Sequence, residues 1–490
     1  MSAQLRLPFI TSDKIIYAMD GVFTYMLHAV LELTGRLDES LLERAIEYAL
    51  VKSPILKSVA RLKPLGSYWE VVDDLTPYAI LTVNDLSSDP EADTSVAALL
   101  QAYINEAIDI TASPPTRFLL IQLPDNRCVF VMKVHHCAVD PAGMLHCLDD
   151  IQTAYRHLLN GEALPPVSPM PSRSRRQLFR HVSPLLWLRV IGRAAISLVR
   201  RQKSQPRGFV QFDDAAKSYR QSNHCRTSQP HGFAQFDGGR SSCTVAYRTV
   251  QFKGRDYTKF RARCKSFGVT ANELVMAALC CAIRRWNGQR ERPDAVYSIV
   301  MPVDLRWYLR QGGQVPRIMA NFIGGSWISV PAAYVTTFEE TIQYIARQTR
   351  FIKDGHMGLL ANLGMPVVKL LPPRWLRRAA QRMYQRHPQR MVPTAVFAYL
   401  GKVERIMTTF PGCQLTGIAG VGAGFDPVGL DVVVVNFDHV FSVTVTYLRD
   451  VCPDAQMDRF MMLLTDQILG NEEQQHAGAP HDERTISTSR

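Results

Sequence analysis

The chain has 490 residues, 47% hydrophobic and 20% charged, which is the composition of a globular protein large enough for two cores. Charges interrupt every apolar run well short of eighteen residues and no leader-like N-terminus is present, so a cytoplasmic protein without a membrane span is expected. Ten cysteines without a CxxC pair suit reduced thiols better than disulfides or zinc fingers, and the net charge of +12 comes with no recognition motif, so nucleic acid is not expected as a partner.

In chain order, Tyr25–Gly35 reads as a strand, Asp38–Lys52 as an amphipathic helix capped by Asp38, and Ile55–Leu62 as a strand after Pro54. Short strands near 67–72 and 79–83 precede a helix from about Thr94 to Ile110. Phe118–Leu123 and Arg127–Val134 form a hairpin across Pro124-Asp125-Asn126. After a Pro-, Arg- and Ser-rich interval a second series begins. It has strands near Thr244–Phe252 and Ala295–Met301, helices near Asp256–Phe267 and Ala271–Trp286, strands at Asn321–Val330, Thr394–Leu400, Val432–Asn436 and Phe441–Tyr447, and a last helix near Ala455–Ile468. Four divisions follow: 1–170, a basic linker 171–240, 241–470, and a polar, disordered tail 471–490. Within the linker, Gln205–Asp213 recurs as Gln229–Asp237, which reads as a local duplication in a surface loop.

The hairpin leads into His135-His136-Cys137-Ala138-Val139-Asp140, and Asp140-Pro141 is an N-cap followed by a first helical residue. The two histidines therefore belong to a strand-to-helix loop at a sheet end, near the positive end of a helix. Imidazole is the side chain whose unperturbed pKa suits general-base work near pH 7. A metal site built from His135, His136, Asp140 and His146 is set aside, because adjacent side chains of an extended segment point to opposite faces.

His135-His136-x-x-x-Asp140 resembles the HHxxxD signature of the chloramphenicol-acetyltransferase-like acyltransferases, the superfamily of condensation domains, wax-ester and diacylglycerol synthases and polyketide-associated acyltransferases. Ser12-Asp13, Gly35-Arg36-Leu37-Asp38, Pro302–Arg306 and Asn321–Gly324 fall where that superfamily has similar words. The resemblance implies an α/β (α+β) fold of two subdomains, each a mixed sheet with helices, forming a V-shaped cleft. It implies acyl transfer from a thioester, on CoA or an acyl-carrier protein, to an alcohol or amine acceptor. His136 is then the general base, His135 supports the loop, and Asp140 pairs with Arg306, while Gly143 and Asn321 support the site. No bound cofactor or metal is expected, and no cofactor-binding residue is assigned. Pro141 departs from the superfamily's usual glycine, and Gly143 is expected to supply the conformational freedom. This departure keeps open an alternative, a fold retained as a catalytically inactive binding or scaffold protein.

Two stretches lack Asp and Glu altogether, 163–212 and 355–403, and between them carry eighteen Lys and Arg, more than the whole net charge. Each mixes arginines with Leu and one Trp, in Gln177–Lys203 and Pro366–Arg386. Basic helices with an apolar face suit either a core-packed position or an anionic membrane surface, so peripheral membrane binding is a further expectation. The glycines from Gly417 to Gly424 read as flexible turns, since neither a following helix nor a lysine completes a phosphate loop.

Overall fold

The structure, a computed structural model, describes residues 5–20, 22–23, 25–168, 170–199, 211, 244–363, 365–387, 391–425 and 429–471. Both copies of the duplicated nonapeptide, apart from Gln211, and the tail beyond Asn471 lie outside the described residues.

In the first half the order is β1 (Arg6–Pro8), α1 (Thr11–Asp20), β2 (Met26–Thr34), α2 (Glu39–Lys52), β3 (Ser58–Arg61), β4 (Tyr68–Val71), β5 (Leu81–Asp85), α3 (Ala92–Asn105), β6 (Thr116–Leu123), β7 (Arg127–His135) and α4 (Pro141–Leu159). Next come α5 (Gln177–His181) and α6 (Pro184–Val199). Then β8 (Val245–Phe252), β9 (Val296–Asp304), β10 (Ile323–Pro331), β11 (Ala395–Lys402), β12 (Gln414–Val421), β13 (Leu430–Phe437) and β14 (Val440–Leu448) build the second half, with helices at Gly254–Phe267, Ala271–Asn287, Phe338–Asp354, Met365–Leu370, Pro373–Arg386 and Asp454–Leu469. Local chemistry sets several starts: Asp38 accepts from Leu41 N at 2.8 Å, and Thr270 and Glu273 form a reciprocal capping box.

Two mixed sheets carry the fold, in the orders β12-β2-β7-β6-β5 and β10-β9-β11-β13-β14-β8, beside a small sheet β1-β4-β3. The α/β architecture implied by the resemblance is thus present. Along β7 the pleat sends Val129 and Val131 into one core, and Cys128, Phe130, Met132 and Val134 into another against α2 and α4. With both faces covered, the strand is a continuous apolar run.

Three sequence expectations change. The glycine run is a strand: β12 pairs antiparallel with β2, with a bulge between Leu415 and Gly417, so the C-terminal half lends a strand to the first sheet. Its glycines serve close packing, because a Cβ on Gly420 would stand 2.5 Å from Val433 Cγ1 and one on Gly422 2.2 Å from Asp431 Oδ2. The strand expected at Ile55–Leu62 is shorter, since Pro54–Lys57 forms a 3₁₀ turn before β3. Two helices went unread, α1 and Phe338–Asp354, although Thr337 caps the latter by accepting from Glu340 N.

Candidate active site

β7 ends at His135, yet its ladder continues into the loop: His135 N donates to Pro115 O at 2.8 Å and His136 N to Tyr25 O at 2.9 Å. The two rings then part. His135 Nδ1 accepts from Cys137 N at 3.1 Å, which assigns the proton to Nε2, 3.3 Å from Asp20 Oδ1 at the end of α1. Burial pushes the Asp20 carboxyl up, but His135 and Arg377 outweigh it and hold the pKa below the usual range.

His136 Nδ1 lies 3.0 Å from Val139 O. A carbonyl only accepts, so this nitrogen carries the proton of the neutral ring and Nε2 keeps the lone pair. Burial lowers the imidazole pKa below its ordinary value, against smaller raising effects of Asp140 and the Val139 carbonyl. The ring is therefore neutral at pH 7, with a basic Nε2. The Tyr25 ring stands beside it, centroid to centroid 5.8 Å.

Every loop carbonyl from His136 to Val139 is taken by a side chain. Asn321 Nδ2 donates to His136 O at 2.6 Å and to Cys137 O at 3.1 Å, Arg173 Nη2 donates to Ala138 O at 3.1 Å, and His136 itself takes Val139 O. A loop with no free backbone acceptor has little freedom to re-aim its histidine.

Asp140 is fully buried in a cage of donors. Oδ1 accepts from Gly143 N at 3.0 Å and Arg306 Nη2 at 2.8 Å, and Oδ2 accepts from Phe322 N at 2.7 Å and Arg306 Nη1 at 2.9 Å. Burial raises the carboxyl pKa, yet Arg306 and the two amides outweigh it and hold it below the usual range. Arg306, equally buried, spends its other donors on Ile318 O, Ala320 O and Asp304 Oδ1. This bidentate pair ties the start of α4 to the chain around β9 and β10.

Pro141 fits as the first residue of α4, beneath its Asp140 cap. The freedom expected of Gly143 is a different one. Its φ is not positive, and what it provides is space, because a Cβ there would meet Val139 Cβ at 3.0 Å.

Sequence reasoning missed half of the clamp. Asp13, fully buried, accepts from Trp69 Nε1 at 3.0 Å, Ile10 N at 3.2 Å and Arg173 Nη2 at 3.2 Å, and its backbone carbonyl accepts from Cys137 Sγ at 3.1 Å. Arg175 donates to Asn321 O and Ile323 O. Both arginines were counted with the basic stretch 163–212, but Arg173 is buried and both hold the site from behind. The available signal was Asp13 itself, an acid in the first turn of α1 within the superfamily-like word Ser12-Asp13. Of the remaining candidates, His146 is half-buried in α4, where desolvation, with the nearby Arg317, drives its pKa down to about 3.

Comparison with known proteins agrees with this fold. Residues 18–171 match the family model of the condensation domain. Over 135 residues the chain is 30% identical to enterobactin synthase component F of Escherichia coli (strain K12), a match that takes in 27% of this chain and only a tenth of that protein's length. An uncharacterized protein of Mycobacterium tuberculosis is 23% identical over 414 residues, covering 82% of this chain and 84% of its own. Among solved structures, the first condensation domain of the calcium-dependent antibiotic synthetase, in complex with a substrate analogue, aligns with a TM-score of 0.65 at 13% identity over 95% of this chain and 96% of that one. The resemblance read from the sequence is thus borne out, in the N-terminal third by sequence and along the chain by fold.

Proposed function

We propose that this protein is an acyltransferase of the condensation type, cytoplasmic, acting in lipid or secondary-metabolite synthesis. His136 Nε2 takes the proton of a hydroxyl or amine as that group attacks the carbonyl of an acyl thioester. The tetrahedral intermediate then collapses, the C–S bond breaks and the proton passes on to the departing thiolate. The observation that carries this reading is the His136 Nδ1–Val139 O bond, which leaves Nε2 as the basic nitrogen of a neutral ring. His135 and Asp140 act at one remove, through the loop and the helix start that they fix. The likeness to condensation domains favours a thioester on a carrier protein as donor, with acyl-CoA as the soluble equivalent.

The test is thiol release from a panel of acyl-CoA and acyl-carrier-protein thioesters in the presence of alcohols or amines. His136→Ala should lower the rate by about 10²–10⁴-fold while the far-UV spectrum and melting temperature stay those of wild type. A variant that keeps more than about a tenth of the rate rejects His136 as the base.

A further inference from the structure

We propose that the outer face of the helix Pro373–Arg386, together with the cleft beside its first turn, docks the protein on an anionic phospholipid surface. The inner side of this helix is settled: Leu376, Ala380 and Tyr384 pack with Val22, Phe23 and Phe425, and Arg377 turns inward over the Tyr17 ring and toward Asp20. The outer side has no protein to cover it among the described residues. Trp375 is 68% exposed, Met383 52%, and Leu370, just ahead of the helix, 73%. Beside this apolar row run Arg374, Arg378, Arg382 and Arg386, spaced four residues apart and all exposed. Four-residue spacing stacks them on one side of the helix.

Arg374 also lines a cleft of about 420 Å³ with Arg61, Lys63, Tyr17, Tyr68 and Thr111. Glu70 neutralises Arg61 at 2.6 Å, whereas neither Lys63 nor Arg374 meets a carboxylate among the described residues. Two cations around a cleft of that size suit a phosphate headgroup, while Trp375 and Leu370 reach the acyl boundary and the arginines snorkel to neighbouring phosphates.

An acidic protein partner would answer the same charge, but the repetition of this face argues for a fluid surface. α6 shows the same composition, with Leu185 78%, Leu188 64% and Ile191 48% exposed around Arg189. Its inner side is settled like that of the Trp375 helix, with Leu359 packing among Trp187 and Val190. A bilayer accepts two such helices without shape complementarity, whereas a folded carrier has one footprint. The inference is independent of acyl transfer.

The experiment is co-sedimentation of the full chain with vesicles of phosphatidylcholine containing phosphatidylglycerol, against vesicles of phosphatidylcholine alone. Wild type should bind the anionic vesicles only, with loss at high salt. R378E/R382E should bind at least about 25-fold more weakly, at about fivefold or more per cation removed. Trp375→Ser should weaken binding without changing its salt dependence, and His136→Ala should bind as wild type does. Failure of wild type to bind, or equal binding by R378E/R382E, overturns the proposal. So does a face that ignores vesicles yet whose charge reversal weakens binding of an acidic acyl-carrier protein, an outcome that would make it a carrier dock.

Discussion

Two buried carboxylates clamp the histidine loop, and they are built differently. Asp140 receives two guanidinium hydrogen bonds and two backbone amides, all four between 2.7 and 3.0 Å, and its pKa ends below the usual range. Asp13 shares Arg173 with Pro8 O, Met319 O and Ala138 O, and burial leaves its pKa raised despite the arginine. A buried ion pair is stabilising only where its donors replace lost water, and the count of short donors decides which side wins. Asp140–Arg306 is therefore the stronger joint. Asp13–Arg173 makes a junction whose value lies in the carbonyls and the thiol it positions.

The largest effect that could break this contrast is Arg306→Ala. It strands Asp140 in a fully buried cage and should cost about 3–5 kcal/mol in urea unfolding. Asp140→Asn should also destabilise, and the double variant should cost less than the two singles together, whereas strict additivity would mean that the pair is uncoupled. Asp13→Asn should cost about 1 kcal/mol, since the amide oxygen still accepts from Trp69 and Arg173 keeps three carbonyls. If Asp13→Asn proves as damaging as Asp140→Asn, the two clamps are equivalent and the contrast fails.

The smallest effect sharpens the comparison by its sign. Asp140, with its folded pKa depressed, contributes stability that is present above the ordinary carboxylate value and lost as pH falls through the folded pKa. Asp13, with its folded pKa raised, contributes stability that is present below the ordinary value and lost as pH rises through the folded pKa. The stability gap between wild type and Asp140→Asn should thus narrow in acid, while that between wild type and Asp13→Asn should narrow toward neutral pH. Denaturant midpoints measured across the acid range read both, and parallel gaps would contradict the assignment.

The same contrast shows what was legible beforehand. Asp140 and Arg306 stand in words that resemble a known superfamily, so their pairing could be expected although 166 residues separate them. Arg173 stands in a stretch of arginines that all look alike as sequence, and nothing local marks it as the one that turns inward. Gly417–Gly424 shows the same limit, because its glycines look like turns until Val433 and Asp431 are seen pressing on them.

Legible from local residues was what depends on neighbours within a turn or a pleat: the continuous apolar run of β7, the Asp38 and Asp140 caps, the apolar rows of the helices, and the place of two histidines at the end of a strand. Only the tertiary structure decided the orientation of the two imidazoles, the lending of β12 to the first sheet, and the choice of Arg173 and Arg175 as supports of the site. The lent strand and the two arginines rest on burial and on distant partners, Met319 lying 146 residues from Arg173 and Asn321 146 residues from Arg175. The desolvation that makes a charge pair or excludes a Cβ exists only once two distant segments have been brought together.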